Sequence, residues 1–233
     1  FNHSNEVYDA ATLLRTSRRK VERWNVVTGE RFLIDGEESD GQLKCRLSLQ
    51  PQESCFLVAV DSSDVVSPYE ACARFRHVKS LEGAWTIDFD KQLGGSGEVL
   101  ADSLKDWTQS ADNGVKYYSG KAVYEKVFSL GKDMQGVPLH LQCTLANGLA
   151  AVYVNNRYAG TLWCAPYRLD ISPYVKKGRN QLRLEVVNSL YNRMVGDAVH
   201  PDRQTYTQAV PPIVTAETPL VPSGVVGRVN LFF

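Results

Sequence analysis

The chain has 233 residues, 43% hydrophobic and 22% charged, enough to bury one large core or two modest ones. Lys+Arg and Asp+Glu both total 26, so the formal net charge is zero and no long-range field draws the surface toward nucleic acid or anionic lipid. No apolar run approaches the roughly 18 residues that a spanning helix needs, so neither nucleic acid nor membrane insertion is expected.

No secretory leader is visible and the first residue is Phe1, so the chain reads as a fragment or a processed product. Along the chain, "NEVYDAATLLRT" is the best helical candidate, and a strand followed by a loop explains it about as well. "KVERWNVVTGERFLI" reads as two short strands joined at Thr28-Gly29, a hairpin signal. "QLKCRLSL" places Leu43, Cys45, Leu47 and Leu49 on one face, with Lys44, Arg46 and Ser48 on the other. "SCFLVAV" is apolar on both faces and suits a central strand covered on both sides. Residues 1–66 are thus expected to form a small antiparallel β module, the end of a larger domain. The polar, Pro-containing start of "DSSDVVSPYEACARF" marks a boundary near Ser62 to Pro68.

Residues 67–233 carry further short strands. In "GAWTIDFD", Trp85, Ile87 and Phe89 alternate with Thr86 and Asp88; in "PLHLQCTLA", Leu139, Leu141, Cys143 and Leu145 share a face. "AAVYVNNRYAGTLW" is a hairpin about Asn155-Asn156, because Asn tolerates the positive φ of a tight turn. Leu182, Leu184 and Val186 alternate with Arg183, Glu185 and Val187, and "GVVGRVNLFF" closes the set. Seven or eight such strands with frequent turns predict an all-β fold whose second domain is a jelly-roll β-sandwich. Asn188 to Gly224 shows no regular period and is far longer than an ordinary loop, so it is expected to be functional or to wrap a partner surface.

The chemical signals are sparse. The five cysteines, Cys45, Cys55, Cys72, Cys143 and Cys164, have no CxxC or Cys/His spacing, which speaks against zinc. A Cys45–Cys55 bridge across a hairpin is permitted and not demanded. Of His3, His77, His140 and His200, only His200, in the long loop, merits a test, since none stands in a nucleophile–base arrangement. The acid pairs Asp88/Asp90, Asp102/Asp106 and Asp197/Asp202 read as solvated surface acids, because spacing pairs none across a cleft. "LGGSGEV" lacks the phosphate-loop pattern and reads as an inter-strand loop. No cofactor is expected, although a structural calcium held by loop carbonyls leaves no readable spacing.

Sugar binding asks only for aromatic faces and hydroxyl-gripping side chains. The carbohydrate-binding candidates are Trp107, Tyr118, Trp163, Tyr167, Asn188, Tyr191, Asn192, Arg193, Asp197, His200 and Tyr206, at or near predicted loops and strand ends. The competing reading is that such aromatics plug the sandwich. In "VKYYSG", Tyr117 and Tyr118 should face opposite ways at the start of a strand, one inward and one free to meet solvent or ligand.

"LEGAWTIDFD", "VKYYSGKAVYEKVFSL", "AAVYVNNRYAGTLWCAPYRLDISPYVKKGRNQLRLEVVN" and "LVPSGVVGRVNL" follow one another in an order that resembles the sugar-binding-type, galactose-binding-like jelly roll of glycoside hydrolase family 2. The closer resemblance is to the version near the C-terminus of α-L-rhamnosidases of family 106, on "YYSGxAxY", "VxVNxxxxGxLW", "PYRxDI" and "NRxxGD". It covers about Leu81 to Phe233, and the "WNVVTGE" turn extends it to the preceding small module. The resemblance implies that the catalytic carboxylates sit in an upstream (β/α) barrel, which at about 250 residues does not fit in this chain. It therefore implies a non-catalytic accessory region that partners that barrel and contacts plant-type oligosaccharide, in an exported enzyme of the periplasm, cell surface or extracellular space. The alternatives are an autonomous carbohydrate-binding module and, ranked last, a free-standing hydrolase.

Overall fold

The computed structural model describes residues 1–39, 41–65, 77–131, 137–208 and 214–232. The chain divides into two compact units, Phe1–Phe75 and Arg76–Phe233. Much of the expected linker, and Cys72 with it, lies outside the described residues.

In the first unit the ambiguous "NEVYDAATLLRT" stretch resolves as strand β1, Tyr8–Leu14. It pairs with β5, Gln42–Leu49, which also pairs with β4, Gly36–Ser39. The alternation in β5 works as read: Leu43, Cys45, Leu47 and Leu49 are all buried. Ser48, expected on the outer face, is buried too. The Thr28-Gly29 hairpin joins β2, Lys20–Asn25, to β3, Arg31–Ile34. Strand β6, Cys55–Val60, is not the central strand its composition suggested. Among the described residues it pairs with β2 alone, at the edge of the order β3-β2-β6, and leaves Phe56 63% exposed. Apolar residues on both faces fit a doubly covered strand, but pairing and coverage come from the rest of the fold. Val21, Ile34, Leu43 and Cys45 form this unit's core, and Cys45 and Cys55 are free thiols.

The second unit is a β-sandwich of two antiparallel sheets, in keeping with the all-β expectation. The larger sheet runs β13-β12-β15-β10-β8-β9, with β8 Trp85–Phe89, β9 Gly97–Ala101, β10 Lys121–Leu130, β12 Gly148–Val154, β13 Arg157–Leu162 and β15 Gly178–Asn188. The smaller runs β14-β11-β16-β7, with β7 His77–Ser80, β11 His140–Ala146, β14 Arg168–Asp170 and β16 Gly224–Phe232. The period-2 faces meet between them: Trp85, Ile87 and Phe89 of β8, Tyr124 and Phe128 of β10, and Leu182, Leu184 and Val186 of β15 share one core with Leu141, Cys143 and Leu145 of β11 and Val225, Val229 and Leu231 of β16. At about 25 cal/mol per Å² this burial is the main stabilising term. The β12–β13 hairpin turns on Asn155 and Asn156 at φ 51° and 64°, as read.

Among the described residues two short α-helices interrupt the strands. Helix α1, Asn113–Lys116, is capped by the Asp112 carboxylate, which accepts from Gly114 N at 2.8 Å. Helix α2, Tyr191–Val199, lies in the stretch that showed no period. Its buried face is Asn192, Arg193, Val195 and Gly196. Half of that face is polar and one member is glycine, so a search for apolar periodicity passes over it.

Candidate functional site

Helix α2 is held against the sandwich by polar side chains. Its first turn is pinned by Asn192, 2% exposed, whose amide donates to Val221 O at 2.7 Å and Ser223 Oγ at 3.1 Å and accepts from Val221 N at 2.9 Å. Ser119 Oγ accepts from Arg193 N at 3.0 Å. Asn188, at the end of β15, accepts from Gly120 N at 2.9 Å and donates to Tyr118 O at 3.0 Å. Ser119 thus ties the "YYSG" stretch to the helix, and Asn188 ties it to the end of β15. At Gly196 the helix touches Tyr117 so closely that an added Cβ would lie 2.6 Å from the Tyr117 Cβ.

With the helix fixed, the Arg193 and Asp197 side chains of "NRxxGD" bond to neighbouring loops. Arg193, 8% exposed, donates through Nη2 to Gly94 O at 3.2 Å and lies 4.8 Å from the centre of the Tyr206 ring. Asp197 Oδ2 accepts from Tyr206 N at 3.0 Å, Thr207 N at 2.8 Å and Thr207 Oγ1 at 2.8 Å, which fastens the following segment over the helix. His200 approaches Asn113 Nδ2 at 3.3 Å and meets the Tyr117 ring edge-on at 5.7 Å. Between these elements lies a cavity of about 210 Å³ whose lining includes Arg193, Asp197, His200, Tyr206, Tyr117 and Asn113. Gly94, at φ 74°, forms part of its wall; a Cβ there would lie 2.7 Å from the Tyr206 ring.

Burial pushes the Arg193 guanidinium below the usual arginine range, while Asp197 and the two nearby tyrosines oppose the shift. Among the described residues no carboxylate forms an ion pair with it, and its Nε has no hydrogen-bond partner. Chemically the arrangement sets a buried cation, two aromatic rings and amide and imidazole groups around one small cavity.

The cavity therefore brings together Arg193, Asp197, His200 and Tyr206 of the sequence candidates. Trp107 and Tyr118 are corrected: at 3% and 0% exposed they are core residues and present no face to a sugar. Trp107 Nε1 donates to Tyr124 Oη at 2.6 Å, and the Trp107, Tyr118 and Phe89 rings pack edge to face. Asn188 and Asn192 serve the backbone as described. Tyr167, at φ 40°, is half-buried against the core, Tyr191 is half-buried at the start of α2, and Trp163 stands 56% exposed at the end of β13; none of the three lines the cavity. Tyr117 and Tyr118 do not face opposite ways in and out; both are buried, because Tyr117 ends helix α1 and the strand alternation begins only at Lys121. Gly94, Asn113, Gly114, Arg203 and Gln204 also line the cavity, and no sequence pattern marks them as a group. The Gly94-Gly95 pair was the available signal for the first.

Among the described residues no three His, Cys, Asp or Glu side chains gather as metal ligands, and no helix is long and apolar enough to cross a membrane.

No protein-family model matches the chain. A rhamnosidase from Novosphingobium sp. PP1Y is similar over 99% of the chain, with a TM-score of 0.84 and 33% identity. The "Putative beta-glucuronidase" of Formosa agariphila is 37% identical over 123 residues, 52% of the chain. A β-glucuronidase from Ruminococcus gnavus aligns over 52% of the chain at a TM-score of 0.42 and 22% identity, and carries no argument at that level. The chain spans 22% of the rhamnosidase and 11% of the Formosa protein. The resemblance to a β-sandwich region of rhamnosidase-type glycoside hydrolases thus extends over both units of the chain.

Proposed function

We propose that this chain is a non-catalytic β-sandwich region of an α-L-rhamnosidase-like glycoside hydrolase, which supports a catalytic barrel in the same polypeptide and contacts carbohydrate. The observation that carries the reading is the likeness of nearly the whole chain to about a fifth of a rhamnosidase. The use of the Asp197 carboxylate to hold the Tyr206–Thr207 segment supports it, since an oxygen that accepts three hydrogen bonds from its own chain is engaged in structure. In this role the region needs no cofactor of its own, and its setting is that of an exported polysaccharide-degrading enzyme, at the periplasm or cell surface.

The test is turnover by the purified chain. Aryl α-L-rhamnosides and aryl β-glucuronides should remain intact, and the longer polypeptide should lose thermal stability when residues 1–233 are deleted. Hydrolysis by the isolated chain that vanishes in Asp197→Ala would overturn the proposal. The exposed indole of Trp163 favours a second reading, an autonomous module for neutral sugars; titration calorimetry with rhamnose-containing oligosaccharides, on the wild type and Trp163→Ala, separates the two.

A further inference from the structure

The cavity beside α2 holds a feature that its structural neighbours do not consume. Arg193 is more than nine-tenths buried, one terminal nitrogen is engaged by a neutral carbonyl, and among the described residues no carboxylate pairs with the guanidinium. Asp197, the acid whose charge acts on Arg193, has committed one oxygen to three donors of the 206–207 segment. Removing a cation from water without an ion-pair partner is costly, and the downward pull of burial on Arg193 reports that cost. A second cation, Arg203, lines the same space. Among the described residues the buried guanidinium thus feels the charge of Asp197 but has no ion-pair partner, an environment in which a bound anion would be stabilised.

The shape of the space narrows the class. At about 210 Å³ it holds roughly seven waters' worth of liquid volume and falls below the range of drug-sized pockets, so it admits one sugar ring rather than a chain. A planar guanidinium matches a carboxylate with two parallel donors. The Tyr206 ring covers Arg193 and holds it in place, and Tyr117 offers aromatic surface. Asn113, His200 and Gln204 surround the remainder with groups suited to hydroxyls. We infer that this cavity binds the carboxylate-bearing ring of a single uronic-acid residue, with Arg193 and Arg203 receiving the carboxylate. The sugar half of this inference rests on the glycoside-hydrolase reading; the anionic half rests on the cavity alone.

A matched pair of monosaccharides tests it. D-galacturonate and D-galactose differ at one carbon, a carboxylate against a hydroxymethyl group. In titration calorimetry against the intact chain, galacturonate should bind in the millimolar range and galactose at least about tenfold more weakly, the difference a charge-assisted pair supplies. Inorganic phosphate, a bare anion, should bind more weakly than galacturonate. Arg193→Met should abolish galacturonate binding. If that buried substitution prevents folding, Arg203→Gln, at an exposed position, carries the test and should weaken binding severalfold. Absence of galacturonate binding at tens of millimolar, equal binding of galactose, equal binding of phosphate, or wild-type affinity in Arg203→Gln would each overturn the inference. The turnover assay is a separate readout: hydrolysis by the chain would sink the non-catalytic reading and leave galacturonate binding standing, and the reverse result would do the opposite.

Discussion

Gly196→Ala sets two physical effects against each other. In an ordinary helix interior the change stabilises by about 1 kcal/mol, because alanine loses less backbone freedom than glycine. Here the new Cβ would sit 2.6 Å from Tyr117 Cβ and 2.7 Å from Tyr117 Cγ. Those atoms are the stem of a side chain only 8% exposed, and they cannot swing aside as a flexible tip could. Either α2 or the Tyr117 backbone must shift, and overpacking of that kind costs about 1–3 kcal/mol. The shift also strains Arg193 N to Ser119 Oγ and the Asn192 bonds, which hold the same helix. With the strained hydrogen bonds added the clash wins, and a net loss of up to about 2 kcal/mol is expected, or up to about 8 °C in Tm for a domain of this size. The assay is denaturant and thermal unfolding by tryptophan fluorescence in a Trp24→Phe background, which leaves Trp85, Trp107 and Trp163 as reporters of the second unit. That background matters because two units need not unfold as one transition. An unchanged or raised midpoint would show that helix propensity outweighs packing and that α2 is not seated on Tyr117 as described.

Three further outcomes follow from the same structure. Asn192→Ala should cost about 2–4 kcal/mol, since it leaves Val221 N and O without their partner in a partly buried site, and amide exchange at Val221 should accelerate. The two turn asparagines should respond with opposite signs: Asn156→Gly relieves φ 64° and should gain up to about 1 kcal/mol, whereas Asn155→Gly loses the side-chain bonds to Tyr174 O, Asn180 Oδ1 and Gln181 N and should cost about 2 kcal/mol, both read as shifts in unfolding midpoint. Burial pushes the Cys143 thiol up to about 12, so the folded state keeps a proton that the unfolded chain gives up near pH 9. Stability should fall as pH rises from about 9 toward 12, at up to about 1.4 kcal/mol per pH unit from this group, and Cys143→Ala should flatten that part of a stability–pH curve. A slope unaltered by the substitution would remove Cys143 as its source. Tyr124, also raised by burial, contributes in the same direction at higher pH.

The sheets were legible because period-2 patterning and turn chemistry are local. Leu43, Cys45, Leu47 and Leu49 are buried as their alternation required, and so are Leu182, Leu184 and Val186. Asn155-Asn156 makes its tight turn because a short polar side chain tolerates positive φ whatever surrounds it. The order of motifs from "LEGAWTIDFD" to "LVPSGVVGRVNL" carried the likeness to rhamnosidase-type enzymes for the same reason: it is written along the chain.

What tertiary structure alone decided depends on contacts between distant positions. Composition made β6 look central, and its pairing with β2 only put it at an edge. Strand alternation would place the adjacent Tyr117 and Tyr118 on opposite faces, but the end of α1 turns both inward. Helix α2 escaped notice because its buried face is Asn192, Arg193, Val195 and Gly196, and polar residues become core only when partners such as Val221 and Ser119 arrive from elsewhere in the chain. The cavity is the extreme case: Gly94 and Arg193 touch across 99 positions. Linear spacing records what a segment prefers by itself; a site made of groups from a glycine loop, a one-turn helix and a second helix exists only once the sandwich has folded and fixed all three.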